Sequence, residues 1–115
     1  MQFDEFWAKA ISQLKNKIKR PGNDRGEHFF ISSWRPDKGF LDEKFPIRDV
    51  TEDRIECLSI HAGKPIEIPR DDMETLYGMW DDFLTGEISK LEVVENVPRT
   101  TYAISLMKFL KENVN

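Results

Sequence analysis

The sequence predicts an α+β fold: an N-terminal helix, a four-stranded antiparallel β-meander, and three C-terminal helices packed on one face of the sheet. Three observations predict it. Apolar residues recur at helical spacing through the first eighteen positions. From residue 27 to residue 69 the pattern changes to short aromatic and β-branched runs separated by turn residues, and after Pro69 the helical spacing returns. Helices and strands are therefore segregated along the chain rather than alternating, which is the pattern of α+β rather than α/β domains.

The first helix rests on Phe3, Phe6, Trp7, Ala10, Ile11, Leu14 and Ile18, one continuous stripe at helical period. It is expected to stop near Arg20, because Pro21 disfavours helical geometry in the residue before it and Gly22 follows. Its polar side carries Lys9, Lys15, Lys17, Lys19 and Arg20, with Arg25 just beyond.

The strands follow. His28 to Trp34 is too short and too aromatic for a helix, and Pro36-Asp37-Lys38-Gly39 has the residues of a tight turn, so a hairpin is expected from about 27 to 49. Thr51-Glu52-Asp53 separates it from a third strand, Arg54 to Ile60, and Ala62-Gly63-Lys64 introduces a fourth, Pro65 to Ile68. Pro46 lacks a donor and belongs on an edge or at a bulge. Phe29 and Phe30 are adjacent and must point to opposite faces, which leaves one large ring on the side away from the core.

After Pro69, Asp71 and Glu74 have capping-box spacing, and Met73, Leu76, Tyr77, Trp80, Phe83 and Leu84 form an apolar stripe that Gly86 ends. Ser89 and Glu92 repeat the capping-box spacing, with Ile88 and Val93 placed as a hydrophobic staple. Pro98 interrupts, and Thr100 or Thr101 is expected to cap a last helix running to about Glu112. That helix is apolar around most of its girth, and only Thr101, Ser105, Lys108 and Glu112 make a polar stripe. It is expected at the centre of the packing.

The 115 residues have the length of one domain, 39% are hydrophobic and 33% charged, and the formal net charge is -4. Cys57 is the only cysteine, and Asp4 and Glu5 follow Met1 closely, so no internal disulfide is expected and the cytoplasm is the expected location. No apolar run approaches the length of a membrane span, and no membrane partner is expected.

Chemistry-bearing patterns are sparse. Cys57 with His28 or His61 would be the elements of a thiol nucleophile, but Cys57 falls in a strand, where a free cysteine is usually a small buried hydrophobe. One cysteine and two separated histidines do not make a zinc site, so no metal is expected. Asp37 with Asp42-Glu43-Lys44 has the residue types of a Mg²⁺-dependent nuclease site, yet the same residues already account for the hairpin. No glycine-rich phosphate loop, nucleophile elbow or dinucleotide fingerprint is present. The expectation is a non-enzyme without a cofactor.

Two functional readings remain. The first is a small, non-catalytic binding or regulatory module acting through protein contacts, self-association into a homodimer included. The acidic pair Asp81 and Asp82 opposes the dipole at the end of its helix and is the candidate contact for a basic partner. The alternative is a nucleic-acid-binding domain that uses residues 87–112, which have the outline of a helix-turn-helix, together with the basic first helix. Its candidate contacts are Lys15, Lys17, Lys19, Arg99, Thr101, Ser105 and Lys108. Residues 1–26 hold six basic residues against three acidic, whereas residues 85–115 are balanced at four each. A groove-reading surface ordinarily carries a positive excess.

Overall fold

The computed structural model describes residues 1–18 and 29–114. Helix α1 (Phe3–Ile18) is followed by strands β1 (Phe29–Arg35), β2 (Gly39–Val50), β3 (Arg54–Leu58) and β4 (Pro65–Pro69), then helices α2 (Arg70–Thr85), α3 (Lys90–Asn96) and α4 (Thr100–Asn113). The strands form one antiparallel sheet in the order β1-β2-β3-β4, the meander that the sequence predicts. The expected end of α1 at Lys19, Arg20, Pro21 and Gly22, and the expected strand start at Glu27 and His28, lie outside the described residues.

The core follows from the two periodicities. Ile31, Phe45, Ile47, Ile55, Cys57 and Ile68 are buried on the inner face of the sheet, alternating with outward residues as a half-buried strand requires. Helices α1 and α4 lie on this face, and α2 packs against both of them. Trp7, Ile11, Leu76 and Trp80 share the same buried cluster, so the stripes read from the sequence do meet. The outer face carries ion pairs instead: Arg48 Nε to Glu56 Oε2 at 3.7 Å and Arg54 Nε to Glu67 Oε1 at 3.5 Å.

Strand β3 pairs with β2 only from Ile47 onward, so Pro46 sits where β2 has β1 alone as a neighbour and needs no donor on its other side. Gly39 closes the β1–β2 turn at φ 73°, a conformation that favours glycine.

Three helix-start expectations have different outcomes. Ser89 caps α3 as expected, its hydroxyl accepting from Glu92 N at 3.2 Å. Asp71 does not cap α2. The chain passes from Pro69 directly into the helix, Pro69 occupies the cap position without a side-chain bond, and Arg70 N donates to Asp53 O at 2.8 Å. The helix starts before Asp71, and a neighbouring loop carbonyl satisfies one of its free first-turn amides. Neither Thr100 nor Thr101 caps α4. That position belongs to Arg99, in the left-handed region at φ 57°, and the Thr100 hydroxyl turns back to donate to Val97 O at 2.6 Å.

The polar stripe of α4 also needs correction. Ser105 is 1% exposed, because α4 lies along β1 and uses the hydroxyl there: it donates to Thr101 O at 3.0 Å and accepts from Trp34 N at 3.0 Å. Leu84, expected on the buried stripe of α2, is 47% exposed. It follows Phe83, the last buried residue of α2, in a turn that has already left the core.

Candidate functional site

The β1–β2 turn and the helical layer enclose a cleft of about 530 Å³. Strand β1 supplies Ser33, Trp34 and Arg35, the turn adds Asp37, and β2 adds Leu41 and Glu43. Across from them stand Phe83 at the end of α2, Ile88, Ser89 and Lys90 at the start of α3, and Thr101 and Ile104 on α4. A volume of this size lies within the range of small-ligand clefts, and the lining is mostly apolar.

Two side chains in the cleft have buried polar atoms without a hydrogen-bond partner, namely Ser33 Oγ and Arg35 Nε. The Ser33 residue is 1% exposed. Arg35 Nε faces Asp37 Oδ1 at 3.7 Å, close enough for charge attraction and too far for a hydrogen bond. The acidic groups are engaged: Asp37 with Arg35, and Glu43 Oε2 with His61 Nε2 at 3.0 Å. Asp37 thus faces a guanidinium and Glu43 an imidazole, which is not the open carboxylate cluster a Mg²⁺ site needs. Among the described residues no group of three or more His, Cys, Asp or Glu is arranged to hold a metal ion.

On the other side of the Gly86–Lys90 junction, α3 presents an apolar face to solvent. Only Val93 of this seven-residue helix is buried, while Leu91 is 66% and Val94 48% exposed. Asp81, Asp82, Glu87, Glu92 and Glu95 surround it in sequence, and among the described residues none of these five makes an ion pair. Asp81 and Asp82 are both exposed.

The residues proposed from the sequence for nucleic-acid contact are distributed unevenly. Thr101 is exposed and lines the cleft. Ser105 is buried and serves β1, so it is not presented to a partner. Lys108 Nζ pairs with Glu112 Oε1 at 2.6 Å and lies 4.8 Å from the centre of the Trp34 ring. Lys17 lies 5.1 Å over Phe29, whose ring packs on Phe109. Lys15 borders a separate polar cleft beside α1, together with Asp4, Asp53 and Arg70. Lys19 is outside the described residues. Gln13 Nε2 donates to Asn113 O at 2.9 Å, so the last turns of α1 adjoin the C-terminal end of α4. Arg99 begins the other end of that helix, roughly 20 Å away at 1.5 Å per residue. Arg99 and the α1 lysines therefore do not form one surface.

Cys57 is fully buried in β3, and burial, with the Glu56 carboxylate adding to it, pushes its thiol up to about 12. It stays protonated at neutral pH, which deprives it of the thiolate that nucleophilic chemistry uses. His28, one of its suggested partners, lies outside the described residues, and His61 is paired with Glu43.

Sequence reasoning missed Ser33, Arg35, Leu91 and Val94. Leu91 and Val94 carried a signal, since a seven-residue helix has room for only one buried stripe and the staple had already assigned it to Val93. Ser33 carried none. Compared with protein-family models, with curated proteins and with solved structures, the chain matches none.

Proposed function

We propose that this chain is a small, non-catalytic, cytoplasmic binding module that works through protein contacts, with the outer face of α3 and the end of α2 as its contact surface. The carrying observation is the exposure of Leu91 and Val94 on a helix with five acidic residues in it and before it, none of which makes an ion pair among the described residues. Such a surface fits a partner segment with apolar and basic side chains. The apolar pair gives it something to bury, and the acids supply steering and orientation. A second copy of this chain docked through the same face would oppose acid with acid, which makes a different, basic partner the better fit.

The test uses a designed helical peptide of leucine and lysine, with its scrambled counterpart as control, titrated into the ¹⁵N-labelled chain. The expected result is chemical-shift change confined to residues 81–96, weakening with salt, and lost in a Leu91→Ser/Val94→Ser variant that keeps its melting temperature. Unchanged binding by that variant overturns the reading. So does a shift map centred on Lys15 and Lys17 with duplex DNA binding at physiological salt, and a concentration-dependent dimer insensitive to the substitutions would assign the contact to another face.

A further inference from the structure

We propose that residues 87–98 form a strap, carrying α3, that opens as a unit while the rest of the chain stays folded, and that this opening is the gate of the cleft.

The strap is attached differently from the longer helices. Helix α4 is bonded across the molecule through Ser105 to Trp34 and through Tyr102 to Ile60, and α1 through Trp7 Nε1, which donates to Glu52 O at 2.7 Å. Helix α2 is tied to α1 by the pair of Arg70 with Asp4. Residues 87–98 have no comparable tie. Among the described residues they make no ion pair, and their hydrogen bonds reach no further than Asp82 O, which accepts from Ile88 N at 3.1 Å, and the Thr100 hydroxyl. What holds the strap down is the burial of Val93 and Val97, with Ile88 partly buried against the same core.

Isolated helices shorter than about 12 residues are marginal in water, so the seven residues of α3 stay helical only while they are docked. The strap is also bounded by two left-handed residues, Gly86 at φ 86° and Arg99 at φ 57°. Glycine adopts that conformation freely, whereas Arg99 is strained there, and undocking the strap releases the strain. A segment with few buried apolar contacts and exposed backbone bonds opens at a free energy well below that of global unfolding. Ile88, Ser89 and Lys90 form one wall of the cleft, so when the strap leaves, that wall leaves with it.

Native-state hydrogen exchange on the full chain tests the opening. The amides of Val93, Val94 and Val97 are expected to be at least about tenfold less protected than those of Leu106, Met107 and Leu110, with a smaller dependence on denaturant. Ile55→Val, a truncation in the buried face of β3, should lower protection in α4 by about three- to tenfold. It should leave protection in α3 unchanged, because Ile55 stays buried when only the strap opens. An equal fall in both helices overturns the proposal, since α3 would then open only by global unfolding.

The gate is tested with Ile104→Cys in a Cys57→Val background, labelled by iodoacetamide under native conditions. Position 104 lines the cleft and is 3% exposed. Its labelling is expected to follow the opening constant of α3 and to be unaffected by Ile55→Val. Labelling faster than α3 opens would show a cleft that needs no gate, and labelling that quickens with Ile55→Val would show access by global unfolding alone. Either result overturns the gate. No partner enters these measurements, so failure here and failure of the α3 contact surface are distinguishable.

Discussion

Helices α3 and α4 are both rich in apolar residues, and the fold uses them in opposite ways. In α4, Ala103, Ile104, Leu106, Met107 and Leu110 are all buried. Its polar groups are drawn inward as well, with the Tyr102 hydroxyl accepting from Ile60 N at 3.2 Å and the Ser105 hydroxyl accepting from Trp34 N. In α3 only Val93 is buried, and Leu91 and Val94 face water. Packing explains these apolar residues of α4 and Val93 of α3, but not Leu91 and Val94. The difference separates apolar side chains that the core uses from an exposed pair that it does not.

The largest expected effect lies in the buried half. Leu106→Ala should cost about 2–5 kcal/mol, the range for truncating a fully buried leucine, read from chemical denaturation. A loss below about 1 kcal/mol would show that α4 is not the centre of the packing.

Ser105→Ala comes next. It removes the acceptor of Trp34 N in a buried setting, so a loss of about 1–3 kcal/mol is expected. An effect near zero would place the serine back on an exposed stripe and weaken the contrast between the two helices.

Cys57 tests the interior through pH. Its thiol is raised from 9.0 to about 12 in the folded chain, so as pH rises above 9 the unfolded chain loses this proton first. Between those values the folded state holds more protons, and stability falls with rising pH by at most about 1.4 kcal/mol per unit. Below pH 9 the group contributes no slope. Denaturation of the native chain and of Cys57→Val across the alkaline range should diverge in that direction, and parallel curves would show that the thiol is reachable by solvent.

The smallest effect belongs to α3. Leu91→Ser or Val94→Ser should change stability by less than about 0.5 kcal/mol, the ordinary range for exposed positions. A loss above about 2 kcal/mol in either would make α3 part of the core and end the comparison.

The sequence carried the architecture because its signals there are local. The stripe from Phe3 to Ile18, the Pro36–Gly39 turn and the Ser89 cap each depend on residues within a few positions of one another. It failed where distant segments supply the partner. Asp71 had the right spacing for a cap, but Arg70 N is bonded by Asp53 O from the loop before β3. Ser105 had the right type and spacing for an exposed stripe, yet its partner is 71 residues away. The cleft was illegible for the same reason, since its walls come from β1, β2, α2, α3 and α4. An unpartnered hydroxyl at Ser33 is a property of the assembled molecule, and no pattern around Ser32-Ser33 announces it.

The bond between Trp34 and Ser105 also bears on how the chain reaches its fold during synthesis. Strand β1 has β2 on one side only, and its Trp34 N–H donates to α4 instead of to another strand. At a ribosomal pace of about 5–20 residues per second, the 71 positions separating the two partners take on the order of several seconds to emerge. During that interval the nascent hairpin has an open margin able to pair with another strand. A translation pause placed before residue 100 would prolong that exposure.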